Sequence, residues 1–290
     1  MANVTAGIDW VVANRTAFNI VSINLSLGTS GCSDGTDATS LAVNNASTAG
    51  IVVAVAAGNE GSGTCTVGSP GAAVGAVTVG AMTDFQQGGF HQAYFSSRGP
   101  TADGRIKPDV SAPGVNITSA KANTAADYTT MSGTSMATPF VAGVALLMRQ
   151  VGTTLTPAQV KATIMSTAQD WGTTGADIDY GAGRLDAYAA QATAGAPLTA
   201  PPVMPAHAAR TGTLSGTGVL NDYPLVVTDT SFPVAATLIH SSVSTATATN
   251  PRLDGTSDEP HAVRLPRVPL QRRSSRPRTN RPAASADHGP

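Results

Sequence analysis

Ile51-Val52-Val53-Ala54-Val55-Ala56 runs directly into Ala57-Gly58-Asn59-Glu60-Gly61, and this stretch decides the fold. Six apolar residues in a row, with no polar alternation, suit a strand buried on both faces, the setting of a parallel sheet covered by helices. Gly50 is of the type that closes a helix, so a helix over about 39–49 leads into the strand. Further upstream, Ile8, Val11, Val12 and Arg15 recur at helical spacing, and Ile20 to Leu25 reads as a strand. Downstream, Ala76-Val77-Thr78-Val79 gives a third. Parallel strands need crossover connections, so this order predicts a doubly wound α/β sheet.

Beyond the sheet, residues 84–130 are punctuated by Gly88-Gly89, Gly99-Pro100, Pro108 and Pro113-Gly114 and read as loops with short extended pieces. An apolar helix follows from about Thr134 to Met148, buried because its apolar residues lie nearly all round; Pro139 requires a place in its first turn. Thr156, Pro157 and Gln159 spell a capping box at the start of another helix. Four regions emerge: an α/β domain over 1–193, an Ala/Pro/Thr linker over 194–208, a partial β-sandwich module over 209–250 and an Arg/Pro-rich tail over 251–290 without apolar periodicity, expected to be disordered.

Composition narrows the function. Of the 290 residues, 41% are hydrophobic but only 4% aromatic and 12% charged, so Ser, Thr, Asn and Gly must cover much of the surface. The net charge of −1 hides eight arginines after residue 250. Without aromatic residues for stacking, that tail does not predict nucleic-acid binding. No apolar run reaches the roughly 18 residues of a membrane span. Cys32 and Cys65 lie in Gly/Ser/Thr-rich loops, which leaves a disulfide and two separate thiols both open.

Gly133-Thr134-Ser135-Met136-Ala137-Thr138-Pro139 sets a serine among small residues at a helix start, where free N–H groups and the helix dipole favour developing negative charge. A capping serine is the plainer reading of that segment alone. Asn59 stands at the carboxyl end of the buried strand, where α/β crevices form, although a turn asparagine would look the same. Together with Ile23-Asn24-Leu25-Ser26-Leu27-Gly28, Phe95-Ser96-Ser97-Arg98-Gly99-Pro100 and Lys107-Pro108-Asp109-Val110-Ser111-Ala112-Pro113-Gly114, these segments resemble the subtilisin-like serine endopeptidases in order and spacing over about residues 5–192.

The resemblance implies roles. Ser135 would be the acylated nucleophile and Asn59 the oxyanion donor, with the backbone N–H of Ser135 beside it. Ser26-Leu27-Gly28 would pair with the substrate backbone, and Ala57-Gly58 would line the opposite wall of the specificity pocket. The substrate would be a polypeptide, the location extracellular, and calcium a stabilising ion with no ligand set legible in the sequence. Arg98 and Asp109 would organise loops. The resemblance fails at one point. Neither Asp-Thr/Ser-Gly nor His-Gly-Thr, the segments that would carry the catalytic Asp and His, occurs in the chain. His91, His207, His240, His261 and His288 read as solvated surface residues. The expectation is therefore a serine endopeptidase by family that is inactive unless a further N-terminal segment supplies the missing groups. The alternative is a peptide-binding remnant without catalysis.

Overall fold

A computed structural model describes residues 1–84 and 89–198. The expected module over 209–250, the tail over 251–290 and four of the five histidines lie outside the described residues.

Two helix–strand steps and two further strands build the sheet. Helix α1 (Ala2–Asn14) precedes β1 (Ser22–Leu25), and α2 (Ala38–Thr48) precedes β2 (Val52–Ala56). Strands β3 (Ala76–Met82) and β4 (Val110–Pro113) complete a sheet of order β1-β2-β3-β4, parallel throughout. The buried strand works as its sequence predicts, because successive side chains serve opposite faces. Val52 and Ala54 join Val77, Val79, Val141, Met148, Val160 and Ile164 on one side. Val53 and Val55 join Ile8, Leu25, Val43 and Ala46 on the other.

The helix ends are set locally. Asp37 caps α2 by accepting from the N–H groups of Thr39 and Ser40, while Gly50, at φ +94°, lets Ile51 N–H return to Ala46 O at 3.1 Å. After a hairpin of β5 (Ile117–Ala120) and β6 (Tyr128–Met131), helix α3 (Thr134–Val151) packs on the sheet. Helix α4 (Pro157–Thr167) carries the expected capping box, with Thr156 and Gln159 bonded reciprocally. A short α5 (Ala187–Thr193) closes the described chain.

Two expectations need correction. Pro139 is the sixth residue of α3 rather than part of its first turn. Its missing N–H leaves the Ser135 carbonyl without a helical donor, and the hydroxyl of Ser26 takes that place at 2.7 Å. Nor is α3 buried all round: Phe140, Leu146, Leu147 and Val151 are exposed, because only the face packed on the sheet and its neighbouring helices is covered. Strand β4 is one of the short extended pieces expected within 84–130; Val110 to Pro113 pair with Val79 to Met82, with Pro108 and Pro113 at its margins.

Candidate active site

The carboxyl end of β2 and the start of α3 meet. Ala57 N–H still bonds across the sheet to Val79 O at 3.0 Å, after which Gly58 turns the chain at φ +113°. That conformation is the one glycine adopts freely, and a Cβ there would stand 2.7 Å from Ser97 Oγ, so the turn requires glycine on both counts. Ser97 then holds the turn from behind, its N–H donating to Gly58 O and its hydroxyl accepting from Glu60 N–H.

Thus presented, Asn59 faces α3. Its Oδ1 accepts from Thr134 N–H at 2.9 Å and from Thr134 Oγ1 at 3.1 Å, while Gly58 N–H donates to the same hydroxyl at 3.3 Å. A backbone N–H can only donate, so the contact with Thr134 fixes which end of the amide is oxygen and turns Nδ2 the other way. The backbone N of Ser135 and Asn59 Nδ2 each lie 3.6 Å from a single point, where a Cβ on Gly133 would be. Two donor nitrogens therefore border one small space at the start of α3, with Met136 Sδ at the same distance; N–H groups directed into such a space would stabilise an oxyanion.

Ser135 and Ser26 exchange hydrogen bonds. Ser135 Oγ donates to Ser26 O at 3.2 Å, and Ser26 Oγ donates to the freed Ser135 O while accepting from Asn24 Nδ2 at 3.0 Å. The segment Ser26-Leu27-Gly28 is thereby fixed against the start of α3. A carbonyl is no base, so this contact orients the serine hydroxyl without activating it.

His91 is not the solvated residue expected. It is half-buried beyond the end of β3, with Nδ1 2.9 Å from Thr83 Oγ1, and burial pushes its pKa below the ordinary histidine value. Arg98 forms an ion pair with Asp179 at 3.2 Å.

Asp109 lies in a deeper cluster: its carboxylate meets Lys107 Nζ at 2.6 Å and Lys161 Nζ of α4 at 3.0 Å, with Lys107 only 2% exposed and Asp109 5%. Burial, aided by the Lys161 charge, pushes Lys107 down to about 7 against the opposing pull of Asp109. Burial also works against the charge on Asp109, but the two ammonium groups win and hold its pKa below the usual value.

Sequence reasoning missed Thr134 as the partner that orients Asn59, and Lys161 as a member of the cluster. Hydrogen-bond pairing between segments 75 residues apart leaves no local pattern to read.

No three His, Cys, Asp or Glu side chains come together to hold a metal among the described residues. The sulfurs of Cys32 and Cys65 are joined, across 33 residues of chain and with Cα atoms 5.0 Å apart.

A parallel α/β domain with a serine at the head of a helix packed on the sheet, and two donor nitrogens bordering one small space at that helix start, has the architecture of a serine hydrolase. The Peptidase_S8 family, described as the subtilase family, matches residues 1–183, and the chain belongs to it. The sequence is 44% identical over 161 residues to "Serine protease AprX" of Bacillus subtilis (strain 168), covering 50% of this chain and 36% of that protein. It is 40% identical over 186 residues to "Subtilisin" of Bacillus pumilus, covering 63% and 60%. Among solved structures, "Sphericase" superposes with a TM-score of 0.55 at 31% identity, covering 63% of this chain and 62% of that one, and "S41 Psychrophilic Protease" with 0.55 at 32%, covering the same shares. The chain thus spans from about a third to three fifths of the length of these curated relatives.

Proposed function

We propose that this chain carries the nucleophile and oxyanion-binding half of a serine endopeptidase, with Ser135 as the acylated residue. The observation that carries the reading is that Asn59 Nδ2 and the backbone N of Ser135 border one small space at the start of α3. An attack by Ser135 Oγ on a peptide carbonyl would turn that carbonyl oxygen into an oxyanion facing both donors. The substrate strand would lie along Ser26-Leu27-Gly28 and send a side chain between that segment and Ala57-Gly58, a space bordered by small residues and suited to large apolar groups. An extracellular setting is supported by the relative named "Extracellular serine proteinase" from Thermus sp. (strain Rt41A).

The serine proton must go to a base. Among the described residues, the Ser135 side chain bonds to Ser26 O. The base and the carboxylate that orients it would come from a further polypeptide segment carrying the Asp and His motifs absent here.

The chain by itself should give no acyl-enzyme burst and negligible turnover of a peptide p-nitroanilide, and activity should appear when that segment is supplied in frame. Stoichiometric labelling of Ser135 in the lone chain by a fluorophosphonate, at the rate of an intact subtilase, would refute the dependence. Tight peptide binding with no activity even after complementation would favour the non-catalytic binding module.

A further inference from the structure

The segment that follows Gly28 is held from behind. Thr29 N–H donates to Ser69 O at 2.7 Å, Ser69 N–H donates to Thr29 Oγ1 at 3.2 Å, and Ser33 N–H donates to Val67 O at 3.1 Å. Approach is so close at Gly68 that a Cβ there would fall on Thr29 O. The 65–69 segment is in turn fixed to the far wall: Cys65 N–H donates to Gly99 O at 2.9 Å, Thr66 N–H to Arg98 O at 2.8 Å, and Ser97 N–H to Gly58 O at 2.9 Å. Segments 26–33, 65–69, 97–99 and 57–60 therefore run hand to hand around the space between the two proposed substrate walls. Every link so far is a hydrogen bond, and several lie where water can compete. A single link is covalent, and it joins the first wall to the back: Cys32 to Cys65. Cys32 is exposed and Cys65 half-buried, so a small thiol can reach the bond.

We propose that the Cys32–Cys65 disulfide is a redox-sensitive clasp on the peptide groove, with both cysteines acting as positioning residues for the Ser26-Leu27-Gly28 wall. The inference rests on the peptide-groove reading above. Reduction passes two electrons and two protons from a dithiol, which closes to its own disulfide, and leaves two cysteine thiols. The closed loop, whose ends lie 33 residues apart, loses its constraint, and the 28–33 segment is then held only by hydrogen bonds, each of modest net strength in partly solvated surroundings. Opening that segment removes the straight edge along which a substrate strand would pair, so the loss falls on substrate affinity. The oxyanion donors are tied to Thr134 instead and keep their geometry.

Two measurements on the full chain, oxidised and after dithiothreitol, test this. Amide hydrogen exchange is expected to accelerate at Thr29 and Ser33 at least tenfold on reduction, with α4 unchanged, and to return on reoxidation. The Cys32→Ser/Cys65→Ser double variant should show the fast exchange without responding to dithiothreitol. Anisotropy of a fluorescein-labelled Ala-Ala-Ala-Phe amide should report affinity at least fivefold weaker in the reduced chain. Unchanged exchange at Thr29 and Ser33, acceleration spread evenly over the sheet and helices, or equal affinity in both redox states would overturn the clasp. If the oxidised chain binds no peptide at all, the groove reading fails, and exchange at Thr29 and Ser33 still decides whether the disulfide holds this wall.

Discussion

At the scale of single residues the site depends on pairs that no sequence window contains. Asn59 stood out as the residue after a buried strand, and Ser135 as the serine in Gly133 to Pro139, but the hydrogen bonds that orient them come from Thr134 and Ser26. In the complemented enzyme, Asn59→Ala should lower kcat about 10²–10³-fold with KM little changed, the magnitude known for loss of the corresponding donor in subtilisin itself. A loss confined to KM would instead make Asn59 a ground-state contact. A second residue-scale prediction concerns Lys107, whose folded-state pKa of about 7 lies below its ordinary 10.5. Between those values the unfolded chain binds more protons than the folded one, so this lysine makes stability rise with pH across that window. Thermal unfolding should show a higher Tm at pH 9 than at pH 7. Asp109→Asn, which removes the carboxylate shared by Lys107 and Lys161, should destabilise the fold, and more at pH 6, where Lys107 is charged in the unaltered fold, than at pH 9, where it is neutral. An equal cost at both pH values would mean that the lysine stays charged.

At the scale of elements, legibility followed how local the signal is. The capping box of α4 is written within four residues, and the Ile51 to Ala56 run declares a two-faced buried strand without help from the rest of the chain. Strand β4 was legible only as an extended piece without bounds, because it is four residues long and is defined by its partner β3 rather than by its own pattern. Helix α5 went unread for a similar reason, being seven residues of mostly alanine. Pro139 was misplaced by one turn because a helix-interior proline is normally costly, and the cost here is offset by a tertiary hydroxyl, Ser26, that sequence cannot pair with it. The caps themselves should differ in weight. Thr156→Ala removes one exposed cap, worth about 1 kcal/mol in urea unfolding. Asp37→Ala should cost more, because that carboxylate also accepts from the hydroxyls of Ser40 and Ser69, each at 2.6 Å. Equal losses would show that the Ser69 contact adds nothing.

At the scale of the whole molecule, β1 ends the sheet, and its outer edge has no strand partner among the described residues. Beside it α3 shows Phe140 at 43% and Leu147 at 45% exposure, with Leu146 and Val151 also open to solvent. An unpaired edge next to exposed apolar side chains is a template for association. The chain should accordingly self-associate as its concentration rises and bind a hydrophobic dye. The double variant Phe140→Glu/Leu147→Lys should shift light scattering toward monomer while leaving the far-ultraviolet circular dichroism unchanged. A monomer at all concentrations in the unaltered chain would remove the idea that this face needs cover. The fold class was legible at this scale because a two-sided sheet imposes its demands on every strand; the open face of α3 was not, because a helix apolar nearly all round reads as buried.

The reciprocal bonds between Ser26 and Ser135 join residues 109 positions apart. During synthesis at about 5–20 residues per second, the second partner leaves the ribosome roughly 5–20 s after the first. Asn59 likewise waits for Thr134, 75 residues later, before its amide is fixed. Long-range parallel pairings are also slow to form, since each must close a long loop before any contact rewards it. The site thus comes into being only after Ser135 has emerged, when about two thirds of the 1–193 domain has been made. A copy in which Thr134 has not yet met Asn59 has neither the serine in place nor the partner that turns the Asn59 amide.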